Sequence, residues 1–125
     1  ILEVGAARMA AARTLTAAER ETLWSRLTDV RGAPREDYRR LDSRLHLAIA
    51  EVAGVPSVVP LVAQNRMRIN EMLDQIPLLS LNIAHSDEQH EAIVMAILAG
   101  DADSAAQTMT AHVWGSAALL HGFLD

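Results

Sequence analysis

Cysteine is absent from this chain. That excludes disulfide bridges and thiolate metal sites, and it agrees with a reducing cytoplasm as the setting. Aromatic residues are scarce, one Phe, one Tyr and two Trp in 125 residues, so Ala, Leu, Ile, Val and Met must build any core. No apolar run approaches the roughly 20 residues of a membrane span, and no signal-peptide pattern opens the chain. Positive charge is in deficit, 11 Lys and Arg against 16 Asp and Glu, for a net charge of −5. An acidic chain with no basic run is poorly suited to gripping a phosphate backbone by itself. A nucleophile elbow and a glycine-rich phosphate loop are missing too, and no convincing general base stands out.

What is present describes one folded domain over residues 1–125. Half the residues are hydrophobic and 22% are charged, a balance that fits a packed core and not a disordered segment. The chain starts at Ile1, already inside an amphipathic segment. The expectation is a domain whose N-terminal part is missing.

Punctuation divides the chain into about six helices, and no stretch keeps the period-two alternation of a strand. The first covers about 2–12, with Leu2, Ala6 and Met9 on one side. Thr16 and Glu19 form a T-x-x-E capping box opening a second helix, which carries Leu23, Trp24, Leu27 and Val30 and ends near Gly32. Pro34 suits the first turn of a third, with the stripe Tyr38, Leu41, Leu45, Ile49 and Val52. After the break "GVPS" a fourth runs over 58–76, with Val58, Val62, Ile69, Met72, Leu73 and Ile76 inward, and Pro77 ends it. The stretch 78–85, "LLSLNIAH", is ambiguous. Ser86 and Gln89 make a second capping box for a helix stopped by Gly100. Asp101 caps the last, whose stripe is Ala105, Met109, His112, Ser116, Leu119 and Phe123. The fold class is an all-α antiparallel bundle.

Polar groups interrupt these stripes. Asp42 and His46 are four residues apart and share one helix face. His90 precedes Ile93, Val94 and Ile97 at helical spacing, and His112 lies inside the last stripe. His85 and His121 do not fit the pattern. Each group alone reads as a satisfied core residue, and Asp42 has Arg39, Arg40 and Arg44 nearby as partners. A divalent cation would satisfy all four at once, and three imidazoles with one carboxylate suit Zn, Ni, Mn or Fe better than Ca or Mg. From spacing alone both readings stay open.

The order D-x3-H in a long helix, followed by "QHEAIVMAILAGDADSAAQTMTAH", resembles the FCD domain. This is the C-terminal effector-binding domain of FadR-type regulators in the GntR superfamily. The matching positions are Asp42, His46, His90, Gly100 with Asp101, Ala105 with Ala106, and His112, and the opening "LEVGAARMAAAR" is similar to the family's first helix. Leu45 stands where the family has an aromatic, Gln89 where it has Glu, and Gly54-Val55 where "GN" is common. The resemblance implies that Asp42, His46, His90 and His112 bind one metal inside the bundle, with zinc expected first and nickel, manganese or iron as alternatives. It further implies a homodimer, and a winged helix-turn-helix upstream that makes the DNA contact.

The metal would hold a small organic acid in a sensor, or an activated water in an enzyme. The missing catalytic motifs point to binding, so the expectation is a ligand-sensing domain and not an enzyme. Arg66 is the first candidate for a second contact to an acidic effector, because it borders the buried face of its helix. Its alternative is a stem that snorkels to solvent. Asn65 and Asn70 could add amide hydrogen bonds. Arg8 lies where the family often has arginine, although a surface salt bridge also explains it. The competing readings are a helical metalloenzyme and a structural or dimerisation domain without metal.

Overall fold

The computed structural model describes residues 1–124, and for Leu120, Phe123 and Leu124 the backbone alone. Six helices follow in order: α1 (Leu2–Ala12), α2 (Ala17–Arg31), α3 (Arg35–Val52), α4 (Val58–Leu73), α5 (Ser80–Leu98) and α6 (Ala102–Leu124). No strand occurs among the described residues. The expected all-α bundle is what forms.

Helix α1 packs against α6, α3, α5 and α4. Its side chains make this close approach possible: Ala6, Ala7, Ala10 and Ala11 are buried, and a methyl group lets neighbouring backbones come near. The inward face differs from the expected one. Met9 is 40% exposed, and Glu3 is buried with the alanines. The segment is so rich in alanine that several faces look equally apolar in sequence.

Helix α2 starts at the expected capping box. Glu19 N donates to Thr16 Oγ1 (3.1 Å), and Thr16 N donates to Glu19 Oε1 (2.9 Å). Leu23, Leu27 and Val30 face the core, whereas Trp24 lies half in solvent. Along α3, Tyr38, Leu45, Ile49 and Val52 are buried and Leu41 is partly so. Gly54 closes that helix at φ +86°, a backbone conformation that costs other residues. The Arg13 side chain lies across Gly54, and its guanidinium donates to Val52 O.

The α4–α5 connection departs most from expectation. Helix α4 stops at Leu73, three residues early, although Ile76 still reaches the core. Pro77 explains the stop, because it has no N–H to give Leu73 O. The Arg39 guanidinium of α3 donates to Leu73 O (2.9 Å) and Ile76 O (3.3 Å), carbonyls at the helix end. Met72 is 40% exposed, and Val58 and Ile69 are only partly buried. Helix α5 begins at Ser80, so the Ser86–Gln89 capping box does not form and both residues lie within the helix. Arg35 holds this earlier start, donating to Leu78 O (2.9 Å) and to Ser80 Oγ. Gly100, at φ +73°, ends α5, and Asp101 accepts from Ser104 N (3.1 Å) to cap α6. In α6, Ala105, Met109 and His112 are buried, Ser116 and Leu119 are partly so, and the Phe123 side chain lies outside the described residues.

The longer α5 shapes the interior. Its two extra turns carry Asn82, His85 and Ser86 up one wall of a cavity of about 380 Å³. Tyr38 and Arg39 of α3 and Ser116 and Leu119 of α6 line other walls. Asp42, Arg66, Gln89 and His112 border it as well.

Candidate metal centre

Three helices bring four potential ligand atoms together beside this cavity. Asp42 and His46 project from α3, His90 from α5 and His112 from α6, and all four are at most 9% exposed. One potential ligand atom from each lies within 4.8 Å of every other. Asp42 Oδ1 is 2.7 Å from His90 Nε2 and 3.2 Å from His46 Nε2. His46 Nε2 is 3.3 Å from His112 Nε2. The imidazole rings surround this point, with centroids 4.6 to 5.6 Å apart.

Neighbours select which nitrogen each ring turns inward. A carboxylate can only accept, so Glu3 Oε1, 2.5 Å from His46 Nδ1, places the proton on Nδ1 and the ring's lone pair on Nε2. Gln89 Oε1 does the same for His112 at 2.7 Å. His90 Nδ1 is buried with no hydrogen-bond partner, and so is Asp42 Oδ1 by hydrogen-bond geometry despite its close nitrogens. Buried polar atoms left this way are costly. Three nitrogens and one carboxylate oxygen converging on one point fit a divalent transition metal, which would relieve the carboxylate oxygen directly.

Around this point runs a closed ring of charges from α1, α3 and α4. Glu3 Oε1 meets His46 Nδ1, and His46 Nε2 faces Asp42 Oδ1. Asp42 Oδ2 then meets Arg66 Nη1 at 3.3 Å, and Arg66 Nε lies 3.5 Å from Glu3 Oε2. The pKa shifts follow from that ring. Burial would raise the Glu3 carboxyl, but the charge and hydrogen bond of His46, with the Arg66 charge, bring it down to about 2. Burial likewise opposes ionisation of Asp42, and His46 and His90 outweigh it and hold the carboxyl well below the usual range. For His46, burial and Arg66 push the pKa down, but the Glu3 and Asp42 carboxylates prevail and raise it to about 9. His112 has no such partner; burial and the neighbouring imidazoles lower it to about 2. Without metal, the raised pKa leaves His46 as the positive charge between the Glu3 and Asp42 carboxylates.

The remaining expected site residues fall in different places. Arg66 is 5% exposed and does not snorkel; it borders the cavity and is engaged by Asp42 and Glu3. Asn70 lies on the other side of α3, where its amide donates to Ser43 Oγ (2.8 Å) in an outer hollow between α3 and α4. Asn65 is exposed on α4. Arg8 is a surface residue that pairs with Asp103 at 2.7 Å. His85, which matches no stripe, borders the cavity, and His121 is exposed.

Sequence reasoning missed Glu3 and the role of Gln89. Glu3 precedes Ala6, Ala7 and Ala10 by three, four and seven residues, the spacing of one helix face, and that signal could have found it. Gln89 was hidden by its reading as a cap.

The family model for the FCD domain matches residues 1–114, which is most of the chain. No curated protein matches it. The chain belongs to the FCD-domain family.

Proposed function

We propose that this FCD domain is the effector-sensing part of a GntR/FadR-type transcription regulator, with one divalent transition metal on Asp42, His46, His90 and His112 and a small organic acid beside it. An FCD domain is a regulatory, effector-binding domain, so the reading is a sensor and not an enzyme. The observation that carries it is the convergence of four buried ligand atoms at the edge of a cavity of about 380 Å³. That volume is at the small end for ligand sites. Zinc is the first choice of metal.

Charge supports an acidic ligand. Glu3 and Asp42 are offset by Arg66 and a divalent ion with one positive charge left over. Among the described residues that line the cavity, Asp42 is the one carboxylate, beside Arg39 and Arg66. A buried net charge favours a ligand of opposite sign. When bound, the metal supplies a Lewis-acid charge for one carboxylate oxygen of the acid. Of Arg66, Asn65, Asn70 and Arg8, Arg66 alone borders the cavity, and it is our choice for a second contact. Asn82, Ser86 and Ser116 provide neutral hydrogen-bonding groups on the walls.

Because α3, α5 and α6 all line the cavity, an acid that prefers one spacing of these helices shifts the bundle toward it. The difference in affinity between the two arrangements sets the largest possible shift. A homodimer in the cytoplasm, with DNA contacted through an N-terminal winged helix-turn-helix, completes the reading. Among the described residues, no helix is long and apolar enough to cross a membrane.

Calorimetric titration with a panel of small carboxylic acids tests it. Saturable binding to zinc-loaded protein that disappears with chelator is the expected result. Turnover of esters or phosphates would favour the metalloenzyme reading, and binding of no acid with or without zinc would contradict the sensor.

A further inference from the structure

The first turn of α1 sends a carboxylate into the interior where the rest of its inward face is alanine. Glu3 is 5% exposed, and both of its oxygens are engaged: Oε1 lies 2.5 Å from His46 Nδ1 and Oε2 lies 3.5 Å from Arg66 Nε. Packing alone does not ask for this. A buried ionised carboxylate is costly unless it is paired, and an apolar residue would fill the same place without that cost. The observation needing explanation is what the pair with His46 achieves.

We infer that Glu3 is a positioning residue for the metal centre: its carboxylate holds the His46 ring with Nε2 turned inward and ties the first turn of α1 to the site. The inference rests on the metal reading above. Ligating histidines commonly give their other nitrogen's proton to such a partner, which orients the ring and raises its basicity.

The three histidines differ in this respect. His46 is backed by a carboxylate, His112 by the neutral amide of Gln89, and His90 Nδ1 by no hydrogen-bond partner. His46 is therefore the ligand whose orientation and basicity depend most on a charged neighbour. Arg66 reinforces the arrangement from α4, reaching both Glu3 and Asp42 and fixing the distance between α1 and α3 at this level. Occupancy of the centre, which needs His46 Nε2 aimed at it, thus favours the α1 position that keeps Glu3 in place. No ligand of the centre comes from α1 itself, so Glu3 is that helix's link to the site.

The test compares the parent chain with Glu3→Gln and Glu3→Asp in zinc competition against a colorimetric chelator. The first variant removes the charge at constant shape, and the second keeps the charge on a shorter stem. Both should bind zinc about 10- to 100-fold more weakly. Nitrogen-15 NMR of the chelated proteins gives a readout that a purely structural role would not move. His46 should be the Nδ1–H tautomer wherever it is neutral in the parent, and a mixture of tautomers in Glu3→Asp. Zinc should also slow amide exchange across 2–8 in the parent and not in Glu3→Gln. Variants with parental zinc affinity and tautomer would overturn the inference while leaving the metal reading intact. A parent chain that takes up no zinc would overturn both.

Discussion

Gln89 Oε1 stands 2.7 Å from His112 Nδ1, so an amide on α5 fixes the orientation of an imidazole on α6. The two helices pack along each other, and this bond joins them at the level of the site. Replacing Gln89 with Leu keeps the bulk and removes the acceptor. Zinc affinity should fall about tenfold or more, with helical content unchanged. Gln89→Glu, which supplies a carboxylate, should bind zinc at least as tightly as the parent. Competition titrations on the three proteins check the order.

Acidity should act on the metal-free protein from both sides. His46 is raised from 6.5 to about 9, so its contribution is complete below pH 6.5 and is lost as the pH rises through about 9. His112 is lowered from 6.5 to about 2 and Glu3 from 4.5 to about 2. Their contributions are complete above 6.5 and 4.5 respectively, and are lost as the pH falls toward 2. The melting temperature of chelated protein should therefore peak near pH 6.5 and fall in both directions. With zinc bound, the loss on the alkaline side should disappear, because a ligating His46 has no imidazolium proton left to lose. Thermal melts from pH 4 to 9, with and without zinc, would show a flat or monotonic chelated curve if this account were wrong.

Two glycines should respond to alanine with opposite signs. Gly54 has φ +86°, and a Cβ there would lie 2.8 Å from the Arg13 side chain. Gly54→Ala should destabilise by about 1–2 kcal/mol from the backbone alone, with any displacement of Arg13 adding to it. Gly5 lies inside α1 with nothing within 4 Å of an added Cβ. Gly5→Ala should stabilise by roughly 0.5–1 kcal/mol. Urea denaturation of both variants in chelator decides the signs.

Leu45 is fully buried next to His46 in α3. Truncation to Ala should cost about 2–5 kcal/mol through lost burial and a residual cavity. Leu81 is 79% exposed on α5, and Leu81→Ala should change stability by no more than about 0.5 kcal/mol. Equal losses in chemical denaturation would contradict the burial described for the two positions.

Much of the site was legible because it obeys helical geometry. Asp42 and His46 are one turn apart, and the apolar residues after His90 and around His112 show which faces carry them. The misread start of α5 depends on contacts distant in sequence. Nothing local in 78–85 reveals that Arg35 will hold Leu78 and Ser80. Ser86 and Gln89 have the spacing of a cap, and only the earlier helix start turns them toward the interior. Glu3 escaped notice for another reason: alanines on several faces of α1 provide little apolar contrast, and packing against four helices selects the inward one.

Metal content of the purified, untagged domain by mass spectrometry, beside a His90→Ala/His112→Ala variant, tests the central claim most directly. The account predicts close to one divalent transition metal per parent chain and its loss in the variant. A folded parent that carries no metal, and takes up none when zinc, nickel, manganese or iron is offered, would contradict it.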